Sequence, residues 1–364
     1  MTMRAPRWDV AVVGGGPAGA VTAMLLARAG QTVVVLDRST GNRSSMGETL
    51  PPVANALLRD IGIAESFSKQ GHTPAEGIVS VWSGSVPRVN DFFVSAQGVG
   101  WNLNRALFDA MLLEEAEKAG AQICRDASVV SCRETGDRGW RLQIHRKKKN
   151  SAWIFAKYLV DASGRTGASR GLSPSPRVFA DRLIGVARFY ASEDRSRYML
   201  IEAVDDGWFY SVGIPDGHLV AVYFTDADIY SHARRTNNDC WHSQLQKALH
   251  TEQRLRGALQ HGGERIVIAA TSRRTQITGP GWISIGDAAM SFDPLSSLGI
   301  YKAMDSGIRA RDWVVGALRH NANTAGYADW SNHVFEQYMM QRLETYREQR
   351  RWNGSPFWKR RNGF

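Results

Sequence analysis

Val10-Ala11-Val12-Val13 is a β-branched apolar run of the kind that forms a strand buried on both faces of a parallel sheet. It runs straight into Gly14-Gly15-Gly16-Pro17-Ala18-Gly19, and then into a stretch whose helical apolar face carries Val21, Met24, Leu25 and Ala29. No other feature constrains the fold as tightly, because Gly14-x-Gly16-x-x-Gly19 between a strand and a helix matches the dinucleotide fingerprint. Gly14 permits the tight turn, Gly16 lets the backbone approach a pyrophosphate, and Gly19 lets the helix pack closely on the strand. Pro17 and Ala18 open the helix, whose first N–H groups and positive dipole end favour that anion. A second strand, Thr32 to Leu36, ends at Asp37, placed to accept hydrogen bonds from a ribose diol, with Arg38 and the more distant Val129 assigned to the same site.

Composition narrows the class. The 364 residues suggest about two domains, and 43% hydrophobic with 22% charged residues is an ordinary globular balance, which excludes disorder as the main state. The formal charge of +10 fits a phosphate-bearing ligand or simply a solvated basic surface. No nucleic-acid-binding module accompanies it. Cys124, Cys132 and Cys240 are too scattered for a disulfide framework or a metal site, so no metal is expected and a reducing compartment is. Arg28 and several glycines interrupt Val10 to Ala29, so no membrane span is expected, and no signal peptide is read, which gives a cytoplasmic placement.

The glycine motif alone suits FAD or NAD. Downstream, Gly281-Trp282-Ile283-Ser284-Ile285-Gly286-Asp287-Ala288-Ala289 runs into Asp293-Pro294-Leu295-Ser296-Ser297-Leu298-Gly299-Ile300 and a long helix. This pair of segments resembles the second FAD signature of the flavin monooxygenase and halogenase superfamily. The resemblance implies that Gly286 and Asp287 meet the ribityl chain and that Pro294, Ser297, Gly299 and Ile300 lie by the isoalloxazine ring. Asp287 can also cap the helix that follows it. Trp101-Asn102-Leu103-Asn104-Arg105-Ala106-Leu107-Phe108-Asp109 is similar to the family's Arg-x-x-Phe-Asp helix, which implies a cofactor contact for Arg105. Asp161-Ala162-Ser163-Gly164-Arg165-Thr166-Gly167 resembles its middle motif. The implied fold is α/β: a Rossmann-like FAD-binding domain of the glutathione-reductase/aromatic-hydroxylase type, an antiparallel β-sheet substrate domain and C-terminal helices. The FAD domain is discontinuous (1–80, 100–180 and 265–320), the substrate part takes 81–99 and 181–264, and 321–364 forms a helical segment and basic aromatic tail. Strands are expected at Arg197–Ala203, Trp208–Ile214 and Leu219–Phe224, and helices at Cys240–Gln260 and Ala325–Arg350. The tail at Pro356-Phe357-Trp358-Lys359-Arg360-Arg361 either packs as a cap or meets an acidic partner, with packing preferred.

For the chemistry, the tryptophan halogenases of this superfamily carry a lysine where this chain has Gly71-His72-Thr73-Pro74, with Lys69 several residues too early. Their Trp-x-Trp-x-Ile-Pro signature has a partial echo in Trp208-Phe209-Tyr210-Ser211-Val212-Gly213-Ile214-Pro215. A closer resemblance is to the flavoproteins that mature tryptophylquinone cofactors. It is carried by Gly47-Glu48-Thr49-Leu50-Pro51-Pro52, Gly207-Trp208-Phe209-Tyr210 and the Phe357-Trp358-x-Arg360-Arg361 tail, with the motifs above. It implies an FAD-dependent monooxygenase that hydroxylates a tryptophan of a partner protein through a flavin hydroperoxide formed with O2. A halogenase or small-molecule aromatic hydroxylase, and a flavoprotein chaperone without catalysis, stand behind it. No second glycine fingerprint follows a strand, so reduction is expected from NAD(P)H directly or through a flavin reductase. Trp82, Trp101, Trp208 and Tyr210 are candidates to line a dry aromatic pocket. His72, Glu48 and Tyr210 are the catalytic candidates, with His72 equally suited to a structural hydrogen bond. The loop of Ser297 and Gly299 is expected to offer N–H groups to the flavin.

Overall fold

The structure, a computed structural model, describes residues 7–39, 48–136, 139–146, 149–165, 175–215, 217–237, 239–319 and 325–363. Its first layer is an eight-stranded sheet whose centre is parallel, in the order Trp282–Ser284, Lys149–Asp161, Arg7–Val13, Val33–Leu36, Gln122–Cys124. The apolar runs behave as their composition requires: Val10, Val12, Val33 and Val35 are fully buried against the helices on one face, and Ala11, Val13, Val34 and Leu36 pack with Val129, Trp140 and Leu142 on the other. Trp140–Arg146 and Ser128–Glu134 extend this sheet antiparallel to Lys149–Asp161. Helices Pro17–Arg28 and Gly299–Leu318 cross closely on one side, because Gly307 brings its backbone against Ala18: a Cβ there would stand 2.8 Å from the Ala18 carbonyl. Thr22 fills the same crossing, donating its hydroxyl to Ala18 O (2.8 Å) and Gly307 O (3.3 Å).

The second layer is a seven-stranded sheet, Leu259–Ile268, Leu183–Ala191, His218–Asp226, Gly207–Ile214, Tyr198–Val204, Gly77–Val81 and Arg88–Asp91, antiparallel except where Gly77–Val81 joins Tyr198–Val204. In sequence the sheet runs from Gly77 to Ile268. One face packs on Trp241, Tyr230 and Leu255, the other on Trp82, Tyr346, Phe357 and Trp358. A small antiparallel sheet pairs Glu48–Leu50 and Thr73–Ala75 with Gly100–Leu103.

The single helix expected over Cys240–Gln260 is two helices, Cys240–Leu245 and Leu249–Leu255, followed by a strand from Leu259. A residue far away in sequence makes the break. The buried Glu202 carboxylate accepts from the N–H groups of His250 (3.1 Å) and Thr251 (2.7 Å) and from the Thr251 hydroxyl (2.8 Å), capping the second helix from a neighbouring strand. The C-terminal helix Ala325–Arg347 forms as expected, and the tail folds back as a short helix, Pro356–Asn362, with Ser355 accepting from the Phe357 N–H as its cap. Phe357 and Trp358 are fully buried, so the tail packs as a cap on the second layer.

Candidate active site

The parallel strands end together, and that alignment makes the site. Register pairs Val13 with Asp161 and Asp161 with Ser284, so the turns after these strands lie side by side at the carboxyl edge of the sheet. Backbone bonds pin them: Gly14 donates to Leu36 O (2.9 Å), Ala162 to Val13 O (2.9 Å) and Ile285 to Asp161 O (2.9 Å). Gly14 has φ +112°, and a Cβ on it would collide with the Ala162 carbonyl. The helix that follows starts at Pro17 with extended Gly16 before it, and no described side chain caps it. Its first N–H groups thus open onto a cavity of about 770 Å³ lined by Gly14, Gly16, Pro17, Ala18, Asp37, Arg38, Arg105, Val129 and Asp287. Asp37 is buried and holds Ser39 through that residue's N–H (3.3 Å) and hydroxyl (2.5 Å), which fixes the carboxylate at the cavity wall.

A dinucleotide fits this cradle on three physical grounds: the size, the uncapped helix start and a backbone approach that only glycine permits at position 14. The cavity continues, through Pro17, Arg105, Asp287 and Ala303, into a second of about 270 Å³. Its walls are mostly apolar, with Tyr210, Val222, Phe224, Val267 and Ile268 from the seven-stranded sheet, Ala269 just beyond it, and Pro294, Ser297, Gly299 and Ile300 from the loop opposite. Ser297 has φ +50°, an uncommon conformation for a serine, in the turn that leads into helix Gly299–Leu318. Its N–H is already used inside that turn, donating to Pro294 O (2.9 Å). The donors left to face the cavity from this loop are those the helix start cannot pair, on Gly299 and Ile300.

Asp287 sits in a single turn of 3₁₀ helix, Gly286–Ala288, and an arginine cluster grips that turn. Arg165 donates to the Asp287 carboxylate (3.2 Å), to Ala270 O (3.0 Å) and to Phe292 O (2.7 Å). Arg177 donates to the carbonyls of Asp287 (2.9 Å) and Ala288 (2.6 Å), and Arg274 to Ala288 (3.0 Å). Burial, with Arg274 nearby, pulls the Arg177 pKa down to about 10, which leaves it charged at neutral pH. Arg165 stood inside a recognisable motif, whereas Arg177 and Arg274 carry no signal of their own in the sequence, because what they bind is backbone brought near by folding. Arg105 bridges both cavities and is held by Asp109 one helical turn on (3.1 Å).

Other expected residues lie elsewhere. Trp82 and Trp208 are core of the second layer: Trp208 is fully buried and stacks on Phe224 at 4.2 Å, one layer behind the cavity wall. Trp101 donates its indole N–H to Asn55 (2.8 Å) and packs edge-on against Phe67. None of the three lines either cavity; of the expected aromatic lining, Tyr210 alone is among the cavity residues. His72 is buried beside Phe67 and Phe108, accepts the Asn104 N–H at Nδ1 (3.3 Å), and lines neither cavity. Desolvation pushes its pKa down to about 4, so it is a neutral structural ring and not a proton-transfer group at the cavity. Glu48 opens a strand, but its side chain, like Gly47, Thr166 and Gly167, lies outside the described residues; its neighbour Thr49 lines the smaller cavity.

Comparison with known proteins agrees with this geometry. The chain is 28% identical over 98% of its length, and 97% of the relative's, to a putative FAD-dependent oxidoreductase, LodB, of Marinomonas mediterranea. It is 24% identical, covering 89% of the chain and 82% of the relative, to a 1H-pyrrole-2-carbonyl-[peptidyl-carrier protein] brominase of Pseudoalteromonas luteoviolacea. In fold it matches the myxobacterial chondrochloren halogenase CndH (TM-score 0.88, 20% identity, 98% of this chain and 86% of that one). It also matches the peptidyl tryptophan dihydroxylase QhpG (TM-score 0.74, 23% identity, 98% and 79%). These findings overturn the expectation of peptidyl-tryptophan hydroxylation: halogenases recur among the relatives and solved structures, and those solved halogenases match with higher TM-scores (0.82–0.88) than the peptidyl tryptophan dihydroxylase. The model of the FAD binding domain family matches residues 7–325, and with the glycine cradle, the clamped Asp287 and the double cavity in place, the chain belongs to that family.

Proposed function

We propose that the protein is an FAD-dependent halogenase that acts on a small, electron-rich aromatic compound. The observation that carries this reading is the apolar cavity of about 270 Å³ opening directly onto the cofactor cradle. A cavity of that size holds one or two aromatic rings, and its lining of Val222, Phe224, Val267 and Ile268 favours a flat apolar guest and disfavours water. The halogenase relatives support the reaction class. FAD, when bound and reduced, supplies the electrons that activate O2, and the chain supplies position and dryness. Tyr210 presents the one phenol edge of the sheet-side wall, suited to orienting the acceptor, and the N–H groups of Gly299 and Ile300 place a positive dipole end at the loop-side wall. Reducing equivalents come from NAD(P)H, delivered by a separate flavin reductase or by direct encounter.

A second reading, hydroxylation of a free aromatic compound, is favoured by one observation: no lysine is among the described residues that line the cavity. Both are tested by incubating the protein with FAD, a flavin reductase, NADH, air and a panel of pyrroles, indoles and phenols, with and without bromide, and reading product masses. Bromine in the product establishes the halogenase. Oxygen gain that is indifferent to bromide selects the hydroxylase, and no change of any acceptor despite NADH and oxygen consumption removes both.

A further inference from the structure

Five aromatic residues outside the cavity, Tyr346, Trp208, Trp82, Trp358 and Trp352, form a continuous run that starts at its wall. Tyr346 is fully buried and donates its hydroxyl to Asp293 Oδ2 (2.7 Å), and Asp293 lines the apolar cavity. Trp208 donates its indole N–H to the same phenol oxygen (3.2 Å) and stacks on Phe224, another wall residue. Trp82 follows, 6.3 Å from Trp208 and 5.8 Å from Tyr346 between ring centroids. Trp358 lies 5.4 Å from Trp82 and 5.9 Å from Tyr346, and Trp352 stacks on Trp358 at 6.2 Å and 24°. The run ends near the surface: Trp208, Tyr346, Trp82 and Trp358 are buried, while Trp352 is half-buried with the Arg351 guanidinium 4.1 Å from its ring. Packing alone is met by Leu or Phe, which bring no polar atoms to satisfy. Here one tyrosine and four tryptophans, the aromatic side chains most easily oxidised by one electron, follow one another from the cavity to Trp352, with Phe357 packed beside Tyr346 and Trp358. The buried indole N–H groups of Trp82 and Trp358 are held by carbonyls of Thr345 (2.7 Å) and Val204 (2.9 Å).

We propose that Tyr346, Trp208, Trp82, Trp358 and Trp352 are a relay that carries oxidising equivalents out of the cavity when no aromatic substrate is there to consume them. An oxygen- or halogen-derived oxidant in the cavity takes one electron from Tyr346, whose phenolic proton passes to Asp293 Oδ2. The products are a neutral tyrosyl radical, a protonated carboxyl group and an oxidant reduced by one electron. An electron from Trp82 or Trp358, with return of the proton from Asp293, restores Tyr346. The vacancy passes on to Trp352, where a reductant of the thiol or ascorbate class fills it, so each oxidant reduced by one electron consumes one electron from solution. The relay serves a halogenase and a hydroxylase alike and does not depend on which product forms.

The test uses the full chain loaded with FAD, loading being checked by visible absorbance, and takes the light-excited cofactor as the one-electron oxidant. Under blue light without oxygen, electron paramagnetic resonance is expected to show an aromatic side-chain radical. Tyr346→Phe, which keeps the ring and loses the proton partner, is expected to lower its yield about tenfold, and solvent deuteration to slow its appearance. Trp352→Phe, at a half-exposed position that leaves the core intact, is expected to shift the oxygen marks found by peptide mapping after illumination in air from Trp352 to Trp358. A wild type with no aromatic radical, a yield equal in Tyr346→Phe, or marks confined to cavity-lining residues in both proteins would overturn the relay, as would a chain that cannot load FAD.

Discussion

Arg165 shows how one side chain joins fold to site. Its guanidinium ties the Asp287 carboxylate to the carbonyls of Ala270 and Phe292, on the two segments that flank the Gly286–Ala288 turn. Arg165→Met is therefore expected to weaken FAD binding by roughly tenfold, as read by fluorescence titration, and to lower unfolding free energy by about 1–3 kcal/mol for the carbonyls left unpaired. His72 makes the opposite case, a titratable group kept out of the chemistry. Its folded pKa of about 4 lies below the ordinary value of 6.5, so the unfolded chain takes up the proton first as pH falls. Stability is then full above the ordinary histidine pKa, falls between 6.5 and about 4, and levels off below. His72→Asn, which can keep an acceptor for the Asn104 N–H, is expected to flatten that fall in thermal midpoint while leaving the shape of the turnover profile around neutral pH unchanged. A profile whose acid limb disappears in this variant would return His72 to the catalytic machinery.

At the scale of elements, the crossing of Pro17–Arg28 on Gly299–Leu318 matters most, since both helix starts face the cavities. Gly307→Val would push the helices apart at Ala18 and splay the two N-termini. The expected result is at least an order of magnitude in FAD affinity with the far-ultraviolet circular dichroism retained; unchanged affinity would show that the crossing does not position the cofactor site. Much of this level was legible in the sequence. The glycine fingerprint, the Asp37 strand and the Gly286-Asp287 turn are local signals, because glycine spacing and β-branched runs act over a few residues. The split of Cys240–Gln260 was not, since Glu202, which caps its second half, comes from a strand some fifty residues away, a contact with no local trace.

At the scale of the whole molecule, the C-terminal tail closes the second layer. Arg361 is buried against Asp226 (2.6 Å), with its guanidinium 3.7 Å from the Phe357 ring, and Arg360 binds Asp226 (2.9 Å) and Asp228 (2.7 Å). Arg361→Met leaves Asp226 with only the partly exposed Arg360 and is expected to cost about 1–3 kcal/mol in urea unfolding, and the double variant with Asp226→Asn to recover part of it. An equal loss in both would mean that the tail is held by Phe357 and Trp358 and not by charge. By itself the sequence determined the α/β class, the cofactor cradle and the acidic residue at each end of it, because turns, strands and helix starts are specified by neighbours along the chain. Which aromatics face the cavity was decided only by tertiary structure. Trp82, Trp101 and Trp208 look the same as Tyr210 to a reader of residue types, and a side chain's placement in wall or core depends on sheet register and on the tail that covers the far face. The arginines that clamp Asp287 came from the same level, since their partners are backbone carbonyls that meet only when the chain has closed.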